Sequence, residues 1–264
     1  MKKVATGTLK GGTGKTMVLI SIAGVIAEKK KVLIVDADPQ CNATTNLGID
    51  NRDLSRPCII DALNNPDTAP EEVIIKSPLK GLPNLDVLPS NILLTEVEMN
   101  LYMRSNRERL FDNWINKNIS YFLNYDYIFF DTNPSMGLIN QNIFTASDSI
   151  ILVSDVGFNG VLGAEMFMYL WDKRRADLGL ENNVRALVLN NVDSRINLSS
   201  QIKEYMANPE NELDTYFIEP ALPARVAYKN AEGNMIPISL YAPESEESNI
   251  VKKLVKNLKK EGVL

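Results

Sequence analysis

Along this chain, runs of β-branched and apolar residues alternate with longer stretches whose apolar positions recur at helical spacing, the pattern of βαβ units around a parallel sheet. The runs predict strands at about 3–8, 31–36, 84–88, 127–131, 149–154, 184–190 and 215–218. Two of them, KVLIVD and YIFFD, are almost unbroken apolar sequences, as strands covered on both faces should be, and each ends in an aspartate, Asp36 or Asp131. Ligands of open α/β sheets bind at the carboxyl ends of strands, so these two acids are the first candidates for chemistry. Helices are predicted over about 14–28, 91–102, 106–122, 137–146, 160–176, 198–207 and 245–260. Between 50 and 83 the prolines and short apolar groups predict loops and brief helices crossing one edge of the sheet. The expected fold is α/β: one domain over 1–264, a mostly parallel twisted sheet flanked by helices on both faces.

Composition narrows the chemistry. With no histidine among 264 residues, Ser/His and Cys/His nucleophiles are excluded, and carboxylates, lysines and hydroxyls remain. Cys41 and Cys58 stand in a chain whose first residues, MKKVATGTLKGG, enter a Gly-rich loop without the apolar core of a signal peptide. They are expected to be reduced thiols in a cytoplasmic protein. No run approaches the roughly eighteen apolar residues of a membrane span. A net charge of −5 argues against a surface coated for nucleic acid but leaves room for a local basic patch. The densest one is Lys252, Lys253, Lys256, Lys259 and Lys260, with Arg174 and Arg175 a second cluster.

The strongest motif is Gly11-Gly12-Thr13-Gly14-Lys15-Thr16, between the strand VATGT and the helical run that begins at Met17. It fits G-x-x-x-x-G-K-[ST] loosely, because Leu9 stands where the first glycine is asked for. The glycines let backbone N–H groups turn inward around phosphate oxygens at a helix start. Lys15 would reach the terminal phosphates and Thr16 would ligate magnesium. The plainer reading is a Gly-rich connecting turn, and for Lys10 a solvated lysine.

KGGTGKT resembles the deviant Walker A loop, K-G-G-x-G-K-[ST], of the ParA/Soj partition ATPases and their relatives MinD and the nitrogenase iron protein. That resemblance implies ATP and Mg2+ as ligands and a homodimer around two sandwiched ATP molecules, with Lys10 reaching the partner's nucleotide. It also implies nucleotide contacts from Gly11 through Met17. DADPQCNATTNLG is similar to the family's D-x-D-P-Q-G-N-A-T, with Cys41 where glycine is usual. By that match Asp36 lies near magnesium, through water, and Asp38 acts on the attacking water. The plainer reading of both aspartates is as caps of the next helix.

DYIFFDTNPSMG resembles the Walker B region, in which Asp131 binds magnesium through water and pairs with Thr16, and Asn133 replaces the first proline of C/T-P-P-S. LVLNNVDSRINLSSQI is similar to the stretch ending D-x-R-T-N-L-S-x-Q, which places Asn190 at the base; a strand-end asparagine that caps a turn is the plainer reading. ALPARVAYKNA matches I-P-R-N-V-R-L-S-E-A, with Pro223 as the base-side proline and Ala227 where relatives carry a DNA-binding arginine. The likeness runs from about residue 3 to 260. It implies a nucleoid-associated ATPase, weak alone, that binds DNA without sequence preference and is stimulated by a ParB-like centromere-binding partner.

NIVKKLVKNLKK sets Ile250, Val251, Leu254, Val255 and Leu258 on one helical face and lysines on the other. Such a helix lies on a membrane, presents lysines to DNA, or docks on the sheet; docking is the expected state and a membrane contact is not. The rival functions are a MinD-like membrane-associated positioning ATPase and a nucleotide-gated adaptor with negligible turnover.

Overall fold

The apolar runs form a wholly parallel six-stranded sheet in the order β3-β2-β4-β1-β5-β6. The computed structural model describes residues 1–193, 195, 201, 202, 204, 205, 208 and 212–264. In chain order, β1 (Lys2–Gly7) leads to α1 (Lys15–Ala27) and β2 (Val32–Ala37). Short helices α2 (Asn42–Asn46), α3 (Ile59–Asn64) and α4 (Pro70–Val73) then cross the edge before β3 (Leu85–Leu88), where short helices and loops are expected. Next come α5 (Leu94–Leu101), α6 (Leu110–Lys117), α7 (Ile119–Phe122), β4 (Tyr127–Thr132), α8 (Leu138–Ala146), β5 (Ser149–Asp155), α9 (Phe158–Asp177) and β6 (Val184–Asn190). The chain closes with α10 (Val226–Gly233), α11 (Ile238–Tyr241) and α12 (Glu246–Lys260).

Each face of the sheet carries its own core. On one, Leu33, Phe130 and Leu152 pack under α3, α6, α8 and α9 around Phe111, Trp114, Phe144 and Trp171. On the other, Ile34, Phe129 and Val188 pack under α1 and the three C-terminal helices. Helix α1 is apolar nearly all round because sheet and C-terminal helices enclose it. The apolar face of α12 is spent the same way: Val251, Leu254, Val255 and Leu258 are buried in this second core. Docking is thus the observed state of the amphipathic C-terminal helix. Its PESEES entry is a capped helix start, Ser245 Oγ accepting from Ser248 N at 3.1 Å.

Two elements differ from expectation. The strand expected at 215–218 is absent: a 3-10 turn covers Glu212–Tyr216, and only isolated bridges, Leu187 with Phe217 and Val192 with Pro223, extend the sheet. Pro220 and Pro223 lack the N–H that a ladder needs. The helix expected over 106–122 is broken into a 3-10 turn (Arg107–Arg109), α6 and α7, with Asn118 between the last two at φ −105°. Of the helix expected at 198–207, residues 201, 202, 204 and 205 are described and are helical, while the others, and most of the NLSSQI segment, lie outside the described residues.

At the start of the strands the two chain ends meet. Lys2 Nζ donates to the carbonyl of Gly262 at 3.1 Å, and Lys259 Nζ lies 5.7 Å from the centre of the Tyr127 ring.

Candidate nucleotide-binding site

Strands β1 and β4 are neighbours, yet the helices that follow them, α1 and α8, lie on opposite faces of the sheet. Such a divergence opens a crevice at the carboxyl ends of the strands. A cleft of about 890 Å³ lies there, lined by Gly11 through Met17, Asp38, Pro134 and Asn190.

The loop from β1 to α1 depends on backbone conformations that glycine allows. Gly12 and Gly14 sit at φ +80° and +82°. At Gly14 there is a second demand, since an added Cβ would stand 2.2 Å from Asn190 Nδ2. That amide donates to the carbonyl of Thr13 at 2.8 Å, so the end of β6 braces the loop. Lys15 is only 8% exposed and carries a lowered pKa; burial drives the shift, against the pull of Asp131 and Asp38.

Three buried aspartates face this lysine region. Thr16 Oγ1 donates to Asp131 Oδ2 at 2.6 Å, while Asp131 Oδ1 is buried and has no partner in the protein. Asp36 is saturated by its own chain: Oδ1 accepts from Asp38 N at 3.0 Å, and Oδ2 accepts from Thr44 N at 2.8 Å and Thr44 Oγ1 at 2.7 Å. Those bonds fold the turn that carries Asp38 to the cleft, where its Oδ1 accepts from Gln40 N at 2.9 Å. Asp36 and Asp131 are both held above the ordinary carboxylate range, first by burial, and for Asp36 also by the charge of Asp131. Negative charge confined without enough positive charge is the setting a divalent cation fits, and the unpartnered Asp131 Oδ1 offers it an oxygen. Among the described residues no group of three or more acidic, cysteine or histidine side chains could hold a metal ion.

Two of the three departures from the family motifs, Cys41 and Asn133, have a structural account. Cys41, in the glycine position, adopts φ +57° and is buried. Asn133, in the proline position, accepts from Ser135 Oγ at 2.5 Å and from Asn140 Nδ2 at 2.8 Å, tying the loop after β4 to α8. Asn140 Nδ2 also reaches the carbonyls of Asn133 and Ser135, both at 2.8 Å.

Lys10 does not line the cleft; its Nζ donates to Asp155 Oδ2 at 2.6 Å, beside α9. Pro223 does not line it either, although the following Ala224 and Arg225 do. Gln40, Asn42, Asn191, Val226, Tyr228, Lys229 and Glu232 complete the wall; the first six stand inside the motif stretches but have no role assigned from sequence. Helix α12 starts beside the cleft wall, where Glu247 lies 3.7 Å from Arg225, and its last turn reaches the amino end of β4, where Lys259 meets Tyr127; none of its lysines lines the cleft. Lys253, Lys256, Lys259 and Lys260 are exposed, and Lys252 Nζ donates to the carbonyl of Pro243 at 2.9 Å. A second cavity, of about 860 Å³, lies outside α9 by Tyr169, Trp171 and Tyr216; it holds no motif residue.

A model of the AAA domain family matches residues 1–179. Over 266 residues the chain is 31% identical to the sporulation initiation inhibitor protein Soj of Bacillus subtilis, with 99% of each chain covered. Over 242 residues it is 30% identical to the chromosome partitioning protein ParA of Myxococcus xanthus, covering 90% of this chain and 80% of the relative. Among solved structures, cobyrinic acid a,c-diamide synthase from Mycobacterium smegmatis, with bound ATP analog and magnesium, matches with a TM-score of 0.80 at 21% identity. That match covers 100% of this chain and 96% of the other, a likeness of fold. No helix of the described residues is long and apolar enough to cross a membrane.

Proposed function

The chain belongs to the family of P-loop ATPases that includes Soj and ParA, and from that premise we propose that it is a DNA-partition ATPase. In this reading it binds ATP, forms a homodimer around two ATP molecules, and holds DNA without sequence preference. A ParB-like centromere-binding partner then stimulates hydrolysis, which is weak in the protein alone. The cargo is a plasmid or a chromosome, and the protein works in the cytoplasm on the nucleoid.

One observation carries the reading: a single cleft gathers the phosphate loop with Lys15, Thr16 and Asp38, and Thr16 bonds Asp131 at its floor. The loop's N–H groups and Lys15 would cradle the phosphates and stabilise charge on the transferred group. Asp38 would orient the attacking water and accept its proton. Thr16 and Asp131 would hold Mg2+, Asp131 through water, with Asp36 keeping the Asp38 turn in register. Bound magnesium supplies charge neutralisation for the phosphate oxygens. Lys10 would act on the nucleotide of the other protomer, and Asn190 would serve the base side. Doubling the protein in a dimer doubles its phosphate contacts, and DNA affinity rises steeply with contact number. The lysines of α12 are the proposed DNA surface. A MinD-like attachment to membrane through α12 loses its support from burial, because the apolar face of that helix is already packed.

The test is binding to random-sequence duplex DNA with ATP, with ADP and without nucleotide, across a salt series, with ATP hydrolysis followed in parallel. Binding that needs ATP, weakens with salt and is lost in Lys10→Ala supports partition. Asp38→Ala is expected to keep ATP and lose hydrolysis; wild-type turnover in that variant removes the assignment of Asp38. ATP-loaded protein that binds no DNA at low salt overturns the nucleoid reading.

A further inference from the structure

Asp155, the last residue of β5, belongs to none of the motifs and does not line the nucleotide cleft. Its carboxylate is nevertheless built into a specific seat. Oδ2 accepts from Lys10 Nζ at 2.6 Å, and Oδ1 accepts from the Gly157 N–H at 3.1 Å. The side chains of Lys10 and Asp155 are 31% and 21% exposed, so the pair is half withdrawn from water without being sealed.

The start of α9 is shaped around this pair. Gly157 is the N-cap of α9, and Gly160 and Gly163, three residues apart within it, share a face toward the pair. A Cβ on Gly157 would lie 3.3 Å from Asp155 Oδ1 and 3.5 Å from Lys10 Nζ. One on Gly160 would lie 2.3 Å from Asp155 Oδ1, and one on Gly163 would lie 3.3 Å from Lys10 Cβ. The N-cap of α9 and two positions in its first two turns therefore lack side chains where a side chain would crowd the ion pair or the stem of Lys10. An incidental surface ion pair needs no such clearance, because its long side chains swing into solvent.

We propose that Asp155 is a positioning residue for Lys10: in the nucleotide-free protomer it latches the lysine against α9, away from the phosphate cleft, and dimerisation must break the latch. The dimer half of this inference rests on the role given to Lys10 above. When one conformer of a residue must be vacated before assembly, apparent affinity falls by the fraction of molecules still latched. A half-exposed ion pair shifts such an equilibrium by about 2- to 5-fold.

Two readouts on Asp155→Asn, which keeps the shape and an oxygen for the Gly157 N–H, separate the latch from the dimer. The first is brief acylation of the nucleotide-free protein with acetic anhydride, with Lys10 and Lys253 quantified by mass spectrometry. The variant is expected to modify about 2- to 5-fold faster at Lys10 and unchanged at Lys253. Equal Lys10 rates in variant and wild type overturn the latch. The second is the protein concentration at half-maximal dimerisation with ATP, expected to fall by a similar factor in the variant and to be unmoved by Asp155→Asn in a Lys10→Ala background. An equal effect without Lys10 overturns the coupling. If Lys10→Ala dimerises like wild type, the cross-dimer role of Lys10 fails while acylation still decides the latch. Should the asparagine variant prove unfolded by its melting curve, Asp155→Ser carries both readouts.

Discussion

At the scale of single residues, the phosphate loop shows how much one missing side chain matters. Alanine at Gly14 must hold a left-handed backbone, at a cost of about 1–2 kcal/mol, and must push Asn190 off the Thr13 carbonyl, at about 1 kcal/mol more. Gly14→Ala is accordingly expected to lower the melting temperature by several degrees and ATP affinity by at least about tenfold. Calorimetry and an ATP titration measure both, and an unchanged titration would mean that the loop tolerates displacement of Asn190. Motif spacing made Lys15, Thr16 and Asp131 legible as candidates, because phosphate cradles demand particular residues at particular intervals. Nothing local marked Asp155 or the bracing bond from Asn190, since both depend on strands far apart in sequence meeting at one edge. Cys41 is an intermediate case. Cysteine stands where the family has glycine, and its φ of +57° is a glycine-like conformation borne by a residue that favours it poorly.

At the scale of elements, six of the seven expected strands are present, because buried parallel strands are unbroken apolar runs and such runs are hard to misread. The exception, at 215–218, is instructive: its apolar character is real, Phe217 and Ile218 do lean on β6, but the nearby prolines stop the ladder. Likewise the amphipathic pattern of 106–122 persists through the break at Asn118, since α6 and α7 bury the same aromatic side; periodicity does not register a change of helix axis. The joints between elements were the least visible in sequence. Asn183, just before β6, donates to the carbonyls of Phe144 and Ser147 at 2.9 Å each and accepts from Trp171 Nε1 at 2.8 Å, so one side chain joins α8, α9 and β6. Asn183→Ala leaves the buried Trp171 N–H and the Ser147 carbonyl in want of partners, while the Phe144 carbonyl keeps the Ser147 N–H. The expected loss is about 1–3 kcal/mol of unfolding free energy in denaturant titration, and a change below about 0.5 kcal/mol would mean that water replaces the amide at this joint.

At the scale of the whole molecule, the sheet separates two jobs. Chemistry gathers at the carboxyl ends of the strands, where loops diverge; the amino ends carry the last turn of the basic C-terminal helix and both ends of the chain. DNA held by Lys259 and Lys260, in the last turn of α12, would meet a surface apart from the phosphate loop, so a dependence of its affinity on ATP is expected to come through assembly of the dimer. The meeting of Lys2 with Gly262 at 3.1 Å has a consequence of another kind. A few added residues linking position 264 to position 1 would span little distance, and closing so short a gap costs little entropy. Opened instead in the exposed turn at 52–54, the chain would lose only the covalent link between β2 and β3 and keep the other strand connections and the phosphate loop intact. Such a circular permutant is expected to melt within a few degrees of the parent and to retain ATP binding. The order in which this polypeptide is written is, at that edge, a convention rather than a constraint.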